Sequence, residues 1–285
     1  MTQLAIAVSI LTGLGLFFGG VLAVAHHYLH VEEDPRLDAT EALLPGSNCG
    51  ACGEPGCRAF AEKLVTRALK PGKCTVSSPD ALARIAELLG VDVGAEERSV
   101  ARLKCNGADG TVGRLATYQG ITSCRAAVIV DRGGRACPWG CLGLGDCVRS
   151  CAFDAITMAA DGLPQVDPAR CNACGDCVDV CPLELLTLFP LSRHAFVQCS
   201  SPLVGTEATD RCDAACDGCG LCAKASRGTI TMVGGLPVVD AEVEPPREAV
   251  WKCPTGALVW LDGPQRALSG AGESVGTWRV GGSHG

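Results

Sequence analysis

The chain has 285 residues, of which 20 are cysteine, and only six phenylalanines, four tryptophans and two tyrosines. Its formal net charge of −7 argues against nucleic acid as a partner, because surfaces that bind nucleic acid are usually basic. Since aromatic side chains make up only 4% of the chain, we expect metal-bound cysteines to replace part of the apolar core during folding.

An uncharged apolar segment, Leu4–Ala25, is long enough to cross a bilayer as one helix. A cleaved signal peptide is the alternative, because Ala23-Val24-Ala25 resembles a cleavage site. The segment's length and the lack of Lys or Arg in residues 1–3 favour a retained transmembrane anchor over residues 1–30. Because many free thiols need a reducing compartment, we expect a single-pass protein of the cytoplasmic membrane with its soluble part on the cytoplasmic side.

Three histidines, His26, His27 and His30, come directly after the apolar segment. Their placement suits side chains at the membrane interface, and binding of a haem or metal is the alternative. Residues 31–42 are predicted to be a polar linker.

Residues 43–95 are predicted to be a small helical module that binds one iron-sulfur cluster through four cysteines. Helical periodicity follows Cys57, and Ser78, Pro79 and Gly90 delimit a second short helix. Glycines between the cysteines suit a loop whose amides approach cluster sulfurs. The predicted ligands follow the spacing C-x2-C-x4-C-x16-C and are Cys49, Cys52, Cys57 and Cys74.

The strongest motif is the run from Cys171 to Pro182, which has the spacing C-x2-C-x2-C-x3-C-P of bacterial [4Fe-4S] ferredoxins. A disulfide framework does not suit three cysteines spaced so closely, and zinc sites usually pair two separated C-x2-C knuckles. In such runs the fourth cysteine binds the neighbouring cluster. Residues 135–190 are therefore predicted to form a two-cluster ferredoxin domain. One predicted set is Cys137, Cys141, Cys147 and Cys181, and the other is Cys151, Cys171, Cys174 and Cys177.

A second, degenerate ferredoxin domain with one cluster is predicted over residues 191–262. The pattern Gly-Leu-Pro-x-Val-Asp occurs at residues 162–167 and again at 235–240, which indicates a repeated hairpin. The fourth position of the repeated run is Ser226 by cysteine spacing, or Ala225 by strand spacing. The predicted ligands are Cys216, Cys219, Cys222 and Cys253.

Four cysteines remain: Cys105, Cys124, Cys199 and Cys212. The first two lie in a connecting segment, 96–134. Together the four could bind a fifth cluster; buried free thiols are the alternative, and Cys212 could instead replace a nearby ligand. The Gly- and Ser-rich residues 263–285 are predicted to be a disordered tail. The expected fold class is α+β: a transmembrane helix, a helical [4Fe-4S] module, then ferredoxin-like domains.

The apolar helix, the NCGxCGxxGC motif at residues 48–57 and the clustered ferredoxin runs together resemble the B-type iron-sulfur subunits of Rnf complexes. The likeness covers about residues 1–262, and the CPWGCLGLGDC segment at 137–147 is especially similar to the family's first run. The second ferredoxin domain departs from fuller members of the family.

The resemblance implies a subunit of an ion-translocating ferredoxin:NAD⁺ oxidoreductase, a translocase of the inner membrane, that is not catalytic alone. Soluble ferredoxin would donate electrons, and membrane and flavin-bearing subunits would accept them. A membrane-bound donor to a redox-sensing regulator or another reductase, without ion pumping, is the alternative. A corrinoid accessory protein would need a domain for which the chain has no room. The basic residues Arg58, Lys63, Arg67, Lys70 and Lys73 either dock an acidic ferredoxin or form a solvated helix face.

Overall fold

The computed structural model describes residues 2–29, 34–95 and 97–265. Helix α1, Thr2–Leu29, contains an uncharged, predominantly apolar stretch, Val8–Ala25, with a mean hydropathy of 2.1 and none of it buried. At about 1.5 Å per residue the helix is about 42 Å long, which exceeds the roughly 30 Å of bilayer hydrocarbon. By length and composition α1 can therefore cross a membrane.

The N-terminal module packs three helices around one apolar cluster: α2 (Pro35–Leu43), α3 (Cys57–Val65) and α4 (Pro79–Leu89). A short 3-10 turn, Pro71–Lys73, precedes Cys74. The Ser78 hydroxyl caps α4 by accepting the Ala81 N–H at 3.3 Å. The buried core consists mainly of Leu37, Phe60, Leu64, Ile85 and Leu89.

The segment predicted as a linker is different in the structure. Asp34 caps α2, and Leu37 and Thr40 on that helix are buried in the module. Short polar helices with a narrow apolar face give little periodic signal, so the mean polarity of residues 31–42 concealed this one. The first helix of the module therefore lies in the segment expected to link it to α1.

The first ferredoxin-like unit runs from β1 (Ser99–Leu103) to β4 (Leu186–Pro190), which pair in antiparallel register. Between them lie α5 (Cys124–Ile129), α6 (Asp146–Ser150), the hairpin of β2 (Ile156–Met158) with β3 (Pro164–Val166), and α7 (Asp176–Asp179). The unit begins at β1 rather than near residue 135. Residues 97–134 are thus part of the unit and not only a connecting segment. The sequence did not predict this, because β1 is buried on both faces and its residues do not alternate between apolar and polar.

The second unit repeats this order. Its outer strands are β5 (Ala195–Val197) and β8 (Leu258–Trp260), which are antiparallel partners. Between them lie α8 (Thr206–Thr209), α9 (Leu221–Ala225), the hairpin of β6 (Ile230–Val233) with β7 (Leu236–Val239), and α10 (Arg247–Val250). The hairpin predicted from the repeated sequence is present in both units.

Gln265 connects the end of the chain's described part to the first unit. Its side chain accepts the Leu103 N–H at 2.9 Å and donates to the Leu103 carbonyl at 2.7 Å, and Arg102 donates to the Gly263 carbonyl. Residues 263–265, which were predicted to begin the disordered tail, are therefore bonded to β1. The rest of that predicted tail lies outside the described residues.

Candidate iron-sulfur sites

Site I lies in the N-terminal module, and the cysteines around its cavity are Cys49, Cys52, Cys57 and Cys74. Asn48 shapes the loop, because its side-chain oxygen accepts the Cys57 N–H at 2.8 Å where α3 begins. Ser77 donates its hydroxyl to the Cys74 sulfur at 3.1 Å. The four thiols are those that the spacing predicted as one ligand set.

Site II is formed by the ferredoxin run, and the cysteines around its cavity are Cys151, Cys171, Cys174 and Cys177. Ala173 and Gly175 have φ values of +59° and +96°, so each adopts a left-handed backbone conformation between successive thiols. Cys151 reaches the cavity from the first half of the unit, and its sulfur accepts the Ala155 N–H at 3.4 Å. A cysteine of the first half of the unit thus lines the same cavity as three cysteines of the second half, as ligand exchange would require.

Site III differs from the prediction in one cysteine. The cysteines around its cavity are Cys124, Cys141, Cys147 and Cys181. The expected partner, Cys137, lines a different cavity. The Cys181 sulfur accepts the Leu185 N–H at 3.4 Å, which repeats the bond made by Cys151. Cys124 therefore stands where Cys137 was expected.

Two residues, Leu144 and Asp146, explain why Cys124 and not Cys137 lines this cavity. In the run C-x2-C-x2-C the middle position between Cys141 and Cys147 is occupied by Leu144. The buried carboxylate of Asp146 accepts the Ser123 hydroxyl at 3.0 Å and the Arg125 N–H at 3.2 Å, which holds the start of α5 beside α6. Cys124 thus takes the place of the missing middle cysteine. Nothing local in the sequence signals this contact.

Site IV lies between the two units, and the cysteines around its cavity are Cys105, Cys137, Cys199 and Cys212. The predicted fifth set contained three of these, with Cys124 in place of Cys137. The Cys105 sulfur accepts the Gly107 N–H at 3.4 Å. The two segments beside Cys105 and Cys199 are joined by the Ser200 hydroxyl, which donates to the Lys104 carbonyl at 2.9 Å.

Site V lies in the second unit and gathers Cys216, Cys219, Cys222 and Cys253, as the spacing predicted. Cys253 packs against the apolar cluster that contains Cys222. The pKa values of Cys216, Cys219 and Cys222 are raised first by burial and also by the charge of Cys253. The Cys253 sulfur accepts the Leu258 N–H at 3.4 Å.

Ser226 occupies the position in the second unit that Cys151 has in the first. Its hydroxyl accepts the Ile230 N–H at 3.0 Å, as the Cys151 sulfur accepts the Ala155 N–H, and the side chain is fully buried. Ser226, and not Ala225, is therefore the residue equivalent to Cys151. Ala249 and Val250 of α10 pack with Ile230 in an apolar cluster.

The electrostatics of these cysteines suit a cationic cofactor. Burial, followed by the charges of Cys124 and Cys181, raises the pKa of the Cys147 thiol to about 12. In the same way burial raises the pKa of Cys212 to about 11, with Cys105, Cys137 and Cys199 contributing. Grouped thiolates repel one another, so the deprotonated state needs compensating positive charge and amide donors. Iron ions would supply the first, and the chain supplies the second.

The described residues contain no group of three or more His, Cys, Asp or Glu side chains that could hold a metal ion. A four-iron cluster takes one thiolate on each iron, so its ligands stand farther apart than those of a single ion. Of the three histidines that follow the apolar segment, His27 packs edge-on against Tyr28, with ring centroids 5.3 Å apart. His30 and the side chain of His26 lie outside what the structure describes.

The sites follow one another in a row. The Thr75 hydroxyl beside site I donates to the Asn172 carbonyl beside site II at 2.6 Å. Cys147 of site III packs against the apolar cluster that contains Cys177 of site II. Cys141 N–H of site III donates to the Cys105 sulfur of site IV at 3.3 Å, and Cys216 N–H of site V donates to the Cys199 sulfur of site IV at 3.3 Å.

Two family models match the chain. One, described as "Putative Fe-S cluster", matches residues 44–76, and the other, described as "4Fe-4S binding domain", matches residues 163–186. The first covers all four cysteines of site I, and the second covers the whole run from Cys171 to Pro182 but not Cys151 of site II.

Relatives that match over most of both chains identify the family. The chain is 35% identical over 237 residues to the B subunit of the ion-translocating oxidoreductase complex of Methanosarcina acetivorans, a match that covers 83% of this chain and 90% of the relative. It belongs to the family of Rnf B subunits. The B subunit of the proton-translocating ferredoxin:NAD(+) oxidoreductase complex of Clostridium ljungdahlii is 36% identical over 254 residues, which is 87% of this chain and 89% of that protein.

The B subunit of the Na(+)-translocating ferredoxin:NAD(+) oxidoreductase complex of Acetobacterium woodii is 38% identical over 216 residues, 76% of this chain. The match spans 65% of that relative's own length. This member of the Rnf family is thus an iron-sulfur protein of electron transport with 4Fe-4S-binding domains. Its apolar helix and its family together indicate association with a membrane.

Proposed function

We propose that this protein is a membrane-anchored electron carrier that accepts electrons from reduced soluble ferredoxin and passes them to membrane and flavin-bearing subunits of an Rnf-type complex. The observation that carries the proposal is the row of cysteine-lined sites between a helix able to cross a membrane and the far end of the second unit. The soluble part lies on the cytoplasmic side, where thiols stay reduced.

Four of the sites hold [4Fe-4S] clusters in this proposal: I, II, III and V. The clusters supply one-electron redox chemistry when bound. The chain's own contribution is to hold each thiolate in place, to bury it and to direct N–H donors at it, as Ala155, Leu185 and Leu258 do. Donors and burial of this kind tune cluster potentials. The proposed ligand set of site III contains Cys124 and not Cys137.

The docking face for ferredoxin is proposed to be α3 and the turn after it. Lys63 and Arg67 are exposed there, whereas Arg58 is paired with Asp38 and Glu41. A basic face on a chain of net charge −7 would steer an acidic ferredoxin towards site I. Site I is at one end of the row, so electrons that arrive there could pass through every other site in turn.

The test is anaerobic stopped-flow mixing of reduced ferredoxin with the oxidised, cluster-loaded full chain in detergent. We expect Lys63→Glu with Arg67→Glu to slow cluster reduction by about tenfold or more at low salt and to flatten its salt dependence. The matched control reverses two exposed lysines of the second unit, Lys224→Glu with Lys252→Glu, which changes the net charge equally.

Two results would contradict the proposal. If ferredoxin fails to reduce the fully loaded wild-type chain, the proposed donor is wrong. If both double variants slow the reaction equally, the effect comes from net charge and the docking face lies elsewhere.

A further inference from the structure

Site IV belongs to neither ferredoxin-like unit alone, and no family model match covers it. Two of its thiols follow the first strand of each unit: Cys105 comes two residues after β1, and Cys199 comes two residues after β5. The other two thiols each precede the next cysteine in the chain by four residues: Cys137 precedes Cys141 of site III, and Cys212 precedes Cys216 of site V. Each unit therefore contributes the same two positions.

The hydrogen bonds repeat this symmetry. In the first unit Cys141 N–H donates to the Cys105 sulfur at 3.3 Å, and in the second Cys216 N–H donates to the Cys199 sulfur at 3.3 Å. Unpaired packing cysteines would have no reason to adopt matched positions and matched amide donors in both halves. The arrangement is that of a site built from two related halves.

Backbone bonds across the boundary hold the two halves together beside the cavity. Gly113 N–H donates to the Arg211 carbonyl at 3.1 Å, and Asp213 N–H donates to the Thr111 carbonyl at 2.8 Å. The Arg211 guanidinium in turn donates to the Ala136 carbonyl at 3.1 Å. These bonds fix the neighbours of Cys137 and Cys212, so the four thiols are positioned by the fold.

Positive charge stands next to the cavity. The Arg135 side chain is 3% exposed, and its guanidinium donates to the Gly107 carbonyl at 3.0 Å and to Asp109 at 3.0 Å. Gly107, whose carbonyl accepts the first of these bonds, lines the cavity. A buried arginine beside the cavity favours an anionic ligand shell.

We propose that site IV binds a fifth [4Fe-4S] cluster, held by Cys105 and Cys137 of the first unit and Cys199 and Cys212 of the second. The ligand set stands on the cysteine geometry. The role of the cluster rests on the electron-transfer function proposed above: the one electron that leaves site III is the electron that reaches site V, with no proton or other reactant involved. Without this site the second unit would be separated from the rest of the row.

Two double variants of the full chain test the shared site. Cys105→Ser with Cys137→Ser removes the first unit's half, and Cys199→Ser with Cys212→Ser removes the other half. Iron and acid-labile sulfide are measured after anaerobic reconstitution, and electron paramagnetic resonance at low temperature counts the reduced clusters. Each double variant should fall from about twenty irons per chain to about sixteen, and the quadruple variant should lose no more.

The matched control is Cys147→Ser with Cys181→Ser in site III, which should lose about four irons alone and about eight when combined with Cys199→Ser and Cys212→Ser. Undiminished iron in both half-site variants, or a loss of about eight irons in the quadruple variant, would overturn the shared site. Native mass spectrometry of the wild-type chain gives a second measurement that needs no variant. Five clusters are expected, and four would refute the fifth. Neither outcome depends on ferredoxin as the donor.

Discussion

Whether Cys124 or Cys137 completes site III can be decided by pairing each with Cys147. The structure places Cys124 around the same cavity as Cys147, and it places Cys137 in site IV. Two substitutions in one site remove one cluster, whereas two substitutions in different sites remove two. Cys124→Ser with Cys147→Ser should therefore lose about four irons, and Cys137→Ser with Cys147→Ser about eight.

The assay is iron and sulfide content of the full chain after anaerobic reconstitution, with circular dichroism to show that the variants fold. The physical reason for the expected pattern is the Asp146 carboxylate, which binds the Ser123 hydroxyl and the Arg125 N–H and so fixes Cys124 beside Cys147. If the Cys137 pair loses four irons and the Cys124 pair eight, Cys137 belongs to site III and the reasoning from Asp146 is wrong.

Three further outcomes are expected. Removing residues 1–30, which include Val8–Ala25, should release the protein from membranes that retain the full chain through a high-salt wash, and continued sedimentation with membranes would contradict the anchor. Phe60→Ala should destabilise the N-terminal module by about 3–5 kcal/mol in thermal unfolding, because the ring is 1% exposed, whereas the control Lys63→Ala should stay within about 0.5 kcal/mol. Arg135→Gln should lower the reduction potential of the site IV cluster in a redox titration, because a buried cation stabilises the more negative reduced state. The control Arg114→Gln removes an exposed arginine from the same Asp109 and should shift the potential less. Equal shifts in the two variants would refute the argument.

Sequence alone was sufficient for the family, which the relatives confirm, and for the repeated hairpin. The structure also gathers three cysteine sets as spacing had grouped them: sites I, II and V. In these sites most of the thiols come from one loop, where positive-φ residues such as Ala173 and Gly175 turn successive side chains to the same centre. Such geometry is local, so residue spacing carries it.

Tertiary structure alone decided the remaining two sites. Cys124 reaches site III through a carboxylate 22 residues away in sequence, and site IV forms only where β1 and β5 bring Cys105 and Cys199 to a common boundary. Helix α2 also required the tertiary structure, because its polar sequence is stabilised by two side chains, Leu37 and Thr40, that are buried in the module. Contacts between distant segments depend on strand pairing and on buried hydrogen bonds, and neither leaves a regular spacing in the sequence. For this reason the sequence predicted which cysteines group locally, whereas the choice between Cys124 and Cys137 for site III required the fold.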